Sequence, residues 1–204
     1  MILFFYLAHI SVKRSIELIS RAKKEGIKIS CETCPHYFSL SLDDIEKDFG
    51  SNFKVNPPLG TKEDKEAIRK GLASGAIDCI ATDHAPHTYL EKEGTLYEAE
   101  FGMIGLELAF SLSLRLVKDK YLNLEKLAEK LSFRPAEILG FVDRGLIKEG
   151  FRADLTIVDL DKTWKVIPEN IKSKSKNTPF LGKELEGLVD YTIYKGKVVY
   201  KSEQ

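Results

Sequence analysis

The chain has 204 residues, of which 43% are hydrophobic and 30% charged, a globular composition with enough apolar mass for a core. The 31 Lys and Arg balance 31 Asp and Glu, so no net field draws the chain toward phosphates or an anionic bilayer, which argues against nucleic-acid and membrane partners. Three cysteines, Cys31, Cys34 and Cys79, make no disulfide framework at this length without a secretory leader, and a reducing cytoplasm is expected.

In chain order, the apolar run Met1 to Ala8 lacks a basic leader and falls well short of the roughly 20 residues of a spanning helix, so it reads as a buried strand. Ser11 can cap a helix whose apolar stripe is Val12, Ile16, Ile19, Ala22 and the stem of Lys23, closed by Gly26. A second strand, Ile27 to Thr33, ends at Pro35-His36, and Ser41 to Lys47 reads as a short helix. Residues 53 to 55 are expected to be extended ahead of Pro57 and Pro58.

Thr61 with Asp64 predicts a capped helix to about Gly75, followed by a strand from Ile77 to Thr82 that leads into Asp83-His84-Ala85-Pro86-His87. A long loop to about Gly105 has the length of a functional one. Helices are predicted over Leu106 to Lys118, Leu124 to Leu131 and Pro135 to Leu139. From Gly145 the texture turns to hairpins: Ala153 to Asp159, Trp164 to Ile167, and Val189 to Tyr200 turning at Lys195-Gly196. Two units are thus expected, residues 1–140 of α/β type and a small β unit over residues 141–204.

Strand and helix alternating with short connections imply a parallel sheet, whose functional groups gather at the carboxyl ends of its strands. All four histidines, His9, His36, His84 and His87, sit where a strand opens into a loop, with Asp83 beside them. Neutral imidazoles bind zinc and an adjacent carboxylate can ligate it and move protons, so metal-assisted hydrolysis is the leading chemistry. For His9 the alternative is a histidine simply satisfied at a strand end. Cys31-x-x-Cys34 lies on a strand that sends its thiols to opposite faces, so packing is its simplest role. Gly102 to Gly105 reads as a turn into a helix rather than a phosphate loop. Trp164 and Tyr191, Tyr194 and Tyr200 read as packing of the β unit.

The motifs His9-Ile10-Ser11, Cys31 to His36, Val55-Asn56-Pro57-Pro58-Leu59, Ile80 to His87 and Phe101 to Glu107 occur in the order found in bacterial-type dihydroorotases. Arg152 to Leu155 and Ser173 to Phe180 resemble the same family's tail. The resemblance implies an α/β fold, the last three strands of a TIM-like (β/α)₈ barrel with a small C-terminal β-sandwich portion, and reversible conversion of N-carbamoyl-L-aspartate to L-dihydroorotate in pyrimidine biosynthesis. It implies that His9 and Asp83 are zinc ligands. By the same resemblance Asp83 is expected to be the catalytic general base, taking a proton from a metal-held hydroxide and passing it to the leaving nitrogen. Asn56, His87, Phe101 and Gly102 hold the substrate by the same resemblance, whereas His36 and His84 are not metal ligands in the family's pattern.

The sequence departs from that family in lacking the early His-x-His-x-Arg strand, the bridging acid or carboxylated lysine, and a further histidine on the fifth strand. Tyr37 and Gly60 also stand where the family often has a histidine and a basic residue. The expectation is an incomplete zinc site and a chain inactive by itself: a gene fragment, half of a split enzyme, or one of two copies pairing edge to edge, so that a second chain or self-association completes the barrel. The alternatives are an allantoinase- or hydantoinase-type cyclic amidase, and a non-catalytic dihydroorotase-like partner, for instance a scaffold for an aspartate transcarbamoylase.

Overall fold

A computed structural model describes residues 5–45 and 50–202. Its first part alternates strand and helix: β1 (Phe5–Leu7), α1 (Lys13–Lys24), β2 (Ile29–Thr33), α2 (Pro35–Ser39), α3 (Lys62–Ser74) and β3 (Cys79–Ile80). The three strands form one parallel sheet in the order β1-β2-β3, with Leu7 opposite Cys31 and Glu32 opposite Cys79. Period-3.6 apolar residues put Ile16 and Ile19 of α1 and Ile68 and Leu72 of α3 into the core. Gly71 allows the helices to approach, since a Cβ there would meet Ile77 and Ile16 at 3.1–3.3 Å. Thr61 caps α3 as expected, accepting from the Asp64 N–H while the Asp64 carboxylate receives the Thr61 N–H.

Helices α4 (Tyr89–Lys92), α5 (Ala109–Lys118), α6 (Leu124–Ala128) and α7 (Arg134–Ile138) follow. The last part is an antiparallel sheet, β4 (Leu155–Lys165), β5 (Glu184–Tyr194) and β6 (Lys197–Lys201), in that order. The two sheets share one hydrophobic cluster through α5, which carries Leu112, Leu114 and Leu116 toward Trp164, Val166 and Leu188. The Trp164 indole donates to Ser111 Oγ at 2.9 Å, and Ser111 donates in turn to the Gly187 carbonyl. Three cations pin the start of β3: the partly exposed Lys23 and Arg134 reach Asp78 at 2.7 and 3.2 Å, and the buried Lys130 donates to the Ile77 carbonyl at 2.8 Å.

Several expectations need correction. The opening strand is not buried: Phe5, Tyr6 and Leu7 are 51%, 48% and 38% exposed, because none of the described residues covers β1, and Met1 to Phe4 lie outside the described residues. Val12, not Ser11, occupies the N-cap of α1, and its backbone receives no side-chain cap. The second strand starts at Ile29 rather than Ile27, and the third is confined to Cys79–Ile80. Ser41 opens only a 3₁₀ turn, Leu42–Asp44, and the end of the helix expected there lies outside the described residues. Residues Ser51–Phe53 form another 3₁₀ turn, so only Lys54 onward is extended.

The helix expected from Leu106 begins at Ala109, after a turn. The two helices expected between Leu124 and Leu139 join through a π-helical turn, Glu129–Phe133, that tolerates Pro135 at the start of α7. The separate strands expected at 153–159 and 164–167 are one strand, β4, irregular between Asp159 and Thr163. The turn at Lys195-Gly196 is where it was expected, with φ of 51° and 76°.

Candidate active site

The carboxyl ends of β1, β2 and β3 carry His9, Glu32 with Cys34, and Asp83. Parallel pairing brings those three ends side by side. His9 and Asp83 both hold the left-handed backbone, at φ of 59° and 47°, so each strand turns sharply at its functional residue. The turn aims the two side chains at one another: His9 Nε2 lies 3.7 Å from Asp83 Oδ1.

The other ring nitrogen of His9 faces the strand beside it. Nδ1 lies 2.8 Å from Glu32 Oε1, and the same oxygen accepts the His9 backbone N–H at 2.8 Å. Cys34 Sγ sits 3.4 Å from Nδ1. Burial raises the Glu32 carboxyl above its ordinary range, an effect opposed by the His9 N–H and ring. Burial likewise pushes the Cys34 thiol up, with Glu32 and Asp83 adding to the rise.

His36 is 2% exposed and burial lowers its pKa to about 3, so it is neutral at physiological pH. Its Nε2 has no hydrogen-bond partner among the described residues and lies 4.0 Å from Asp83 Oδ2. Two groups of metal-capable side chains result, His9 with Glu32 and Cys34, and Cys34 with His36 and Asp83; the ligand atoms within each lie within 4.8 Å of one another. An unpartnered buried imidazole nitrogen and a carboxylate facing the same space fit a divalent cation. His84 is committed elsewhere, because its Nδ1 accepts the backbone N–H groups of Gly105 and Leu106 at 3.0 and 3.2 Å.

The expected substrate-holding residues lie on loops tied together. Residues 84 and 103 form a parallel bridge and Ala85 N–H donates to the Met103 carbonyl, so Phe101-Gly102 runs beside the Asp83 loop. His87 Nε2 is 2.9 Å from the Phe101 carbonyl. Gly102 has φ of 124°, and a Cβ there would meet Ala85 Cβ at 2.4 Å, so only glycine permits this approach. Gly102 N–H donates to the Lys54 carbonyl, and Tyr37 donates to the Pro57 carbonyl at 2.7 Å, which fixes the exposed Asn56 on a loop between the two. The structure thus pairs His9 with Asp83 directly and joins His87, Phe101 and Gly102. Among the described residues, no side-chain hydrogen bond joins Asn56 to either set.

Four residues that organise the site and its loops are not assigned a role by the sequence. Glu32 and Cys34 lie two apart, and period-2 alternation along β2 was the signal that both share the His9 side of the strand. Asn177 bridges the loops, accepting from His87 N–H at 3.1 Å and donating to the Ala85 and Gly102 carbonyls at 2.9 and 3.2 Å. Lys92 is buried and donates to the Glu100 and Gly102 carbonyls at 2.7 and 3.0 Å, and no local pattern announces a lysine used that way.

Known proteins resemble this chain over nearly its whole length. The chain is 50% identical over 198 residues to the dihydroorotase of Geotalea daltonii, a match covering 97% of this chain and 46% of that protein. It is 48% identical over 199 residues to the dihydroorotase of Endomicrobium trichonymphae, covering 97% and 47%. The chain therefore spans about half the length of the curated relatives it matches. Among solved structures, the L-hydantoinase from Arthrobacter aurescens superposes with a TM-score of 0.91 at 32% identity, over 98% of this chain and 45% of that one. The dihydropyrimidinase from Brevibacillus agri, at 22% identity and a TM-score of 0.92, covers 98% of this chain and 45% of its own and shares the fold. Among the described residues no helix is long and apolar enough to cross a membrane. The model of the amidohydrolase family matches residues 6–199, and the chain belongs to that family.

Proposed function

We propose that this chain supplies part of the active site of a dihydroorotase-type cyclic amidohydrolase, which interconverts N-carbamoyl-L-aspartate and L-dihydroorotate. On this reading residues 1–140 are the last three strands of a (β/α)₈ barrel with their helices, and residues 141–204 are a small β-sandwich portion. The observation that carries it is His9 Nε2 facing Asp83 Oδ1 at 3.7 Å where parallel strands end. The 50% identity to a dihydroorotase supports that substrate over the hydantoins named for the structural neighbours.

His9 and Asp83 would hold zinc, which when bound lowers the pKa of water toward about 7 and polarises the amide carbonyl. Asp83 is the group placed to carry a proton from the attacking water to the leaving nitrogen, being only partly buried and beside the metal ligand. Asn56, His87 and the backbone of Phe101 and Gly102 would orient an anionic substrate through an amide, an imidazole and N–H donors. A catalytic zinc takes about three protein ligands, so further ligands are expected from sequence beyond these 204 residues. Zinc with only His9 and Asp83 should be held weakly and turnover by this chain alone should be absent.

The test is zinc analysis and carbamoyl-aspartate cyclisation by the purified chain, repeated after adding the amino-terminal half of a related dihydroorotase. Activity only in the mixture supports the reading, and its loss with Asp83→Asn in the mixture assigns the base. Turnover of hydantoin or allantoin in place of carbamoyl-aspartate would move the substrate to a neighbouring cyclic amidase. A stable mixed complex without turnover of any of these would favour a non-catalytic partner.

A further inference from the structure

We propose that Lys92 is a positioning residue for the substrate-facing loop: its buried ammonium holds the carbonyls of Glu100 and Gly102, and so turns the Phe101 N–H outward as the donor for an oxygen of an anionic substrate. The proposal deepens the proposed function and rests on it for the identity of that substrate.

The geometry of three successive peptides carries it. The Phe101–Gly102 peptide is held at both ends, with the Phe101 carbonyl 2.9 Å from His87 Nε2 and the Gly102 N–H donating to the Lys54 carbonyl at 2.8 Å. That N–H is already committed and does not face a ligand. The Gly102–Met103 peptide has two donors on its carbonyl, Lys92 Nζ at 3.0 Å and Asn177 Nδ2 at 3.2 Å. The Glu100–Phe101 peptide differs from both. Its carbonyl accepts from Lys92 Nζ alone, at 2.7 Å, and its N–H, that of Phe101, donates to no protein group among the described residues.

A trans peptide points its C=O and N–H in opposite directions. Among the described residues the one cis bond is Asn56-Pro57, so a Glu100 carbonyl drawn inward onto Lys92 leaves the Phe101 N–H facing away from the buried side. The exposures agree with that sense, Lys92 being 7% and Phe101 52% exposed. Lys92 and the loop it holds also hang on one short helix. Lys92 ends α4, whose start is capped by Thr88 and Glu91, and the Glu100 N–H donates to the Glu91 carbonyl at 2.8 Å. A free N–H fixed in place before a ligand arrives is the form in which backbone donors serve anions best. Burial and the nearby Lys54 charge both oppose a cation at this position, and both hydrogen bonds of the ammonium go to loop carbonyls rather than to an acid, so its role lies in what it does to the loop.

The first experiment uses the ¹⁵N,¹³C-labelled 204-residue chain below pH 8, where the Lys92 ammonium is protonated, and reads couplings across hydrogen bonds from Lys92 Nζ to carbonyl carbons. Couplings to Glu100 and Gly102 are expected. In Lys92→Met, which keeps an unbranched side chain and removes the donors, the Phe101 amide ¹⁵N should shift, because that nitrogen responds to the hydrogen bond on the carbonyl before it. The Met103 amide should shift less, since Asn177 still holds the Gly102 carbonyl. The second experiment measures carbamoyl-aspartate cyclisation by the chain mixed with the amino-terminal half of a related dihydroorotase. There Lys92→Met should raise KM about tenfold, the order for one hydrogen bond to a charged group, with kcat within about twofold of native.

No coupling from Lys92 Nζ to the Glu100 carbonyl in the native chain, or a Phe101 amide unmoved in folded Lys92→Met, would overturn the proposal. The native spectrum decides alone if the Met variant fails to fold. An unchanged KM in an active mixture would overturn it too, whatever kcat does. An inactive mixture containing native Lys92, with couplings and shifts as expected, would instead sink the proposed function and leave the positioning of the Phe101 peptide by Lys92 standing.

Discussion

Replacing Asn177 by alanine should loosen the two loops that carry the expected substrate groups. The side chain is 6% exposed and makes three hydrogen bonds: from His87 N–H at 3.1 Å, and to the Ala85 and Gly102 carbonyls at 2.9 and 3.2 Å. Gly102 keeps a partner in the variant, because Lys92 Nζ also donates to its carbonyl at 3.0 Å. Two groups, His87 N–H and the Ala85 carbonyl, are left wanting, and at about 1 kcal/mol each the variant should lose about 2 kcal/mol of stability. With an m-value of about 2 kcal/mol/M in urea the midpoint falls by about 1 M, and m itself should not change. Asn177→Asp is the discriminating control. It keeps the size and the acceptor for His87 but faces a carboxylate toward two carbonyls, so it should destabilise at least as much as alanine. Urea unfolding followed by far-ultraviolet circular dichroism measures both. A midpoint shift below about 0.3 M for alanine, or an aspartate variant as stable as the native chain, would refute the account of Asn177 as the clamp between the loops.

Gly187→Ala should cost about 2–3 kcal/mol, since φ is +86° and the new Cβ would lie 2.5 Å from Leu114 Cδ2, where α5 packs on β5; a urea midpoint within error of native would contradict it. Leu72→Ala, at a position 1% exposed between α1 and β3, should cost about 2–5 kcal/mol by the same measurement, and a loss under 1 kcal/mol would mean that the core there collapses to fill the space. Burial pulls Lys92 from 10.5 to about 8, so between those values the unfolded chain binds a proton that the folded chain does not. Stability from this group is therefore lowest below pH 8 and rises toward pH 10.5, and Lys92→Met should flatten that rise in a pH series of urea midpoints. A slope the same in both proteins would show that Lys92 does not titrate there.

Most of the α/β alternation was legible because it rests on local rules: the Thr61 cap and Asp64, the Ile16–Ile19 and Ile68–Leu72 spacings, and the Lys195-Gly196 turn all act within a few residues. The errors fall where tertiary context decides. Phe5 to Leu7 have the apolar pattern of a buried strand, yet burial depends on a neighbour that no local rule supplies. The gap expected between helices at 124–131 and 135–139 is a π turn, from which Lys130 and Arg134 reach Ile77 and Asp78 beside β3. His9 and Asp83 could be placed at strand ends from sequence, since each follows an apolar run. Glu32 could not be attached to His9 in the same way, because the contact spans 23 residues and depends on the parallel register of β1 with β2.

That register also sets the electrostatics of the site. Asp83 has two ion-pair partners among the described residues, the ring nitrogens of His9 and His36. Burial keeps His36 neutral down to about pH 3. His9 Nε2 lies 3.7 Å from Asp83 Oδ1, and Glu32 adds a buried acid behind them. A proton between the ring nitrogen and the carboxylate would join the two, and a divalent cation would take both as ligands. The two left-handed backbones at His9 and Asp83 therefore hold together an imidazole and a carboxylate of the kind a divalent cation takes as ligands, and this is the physical ground for reading the end of the sheet as a metal site.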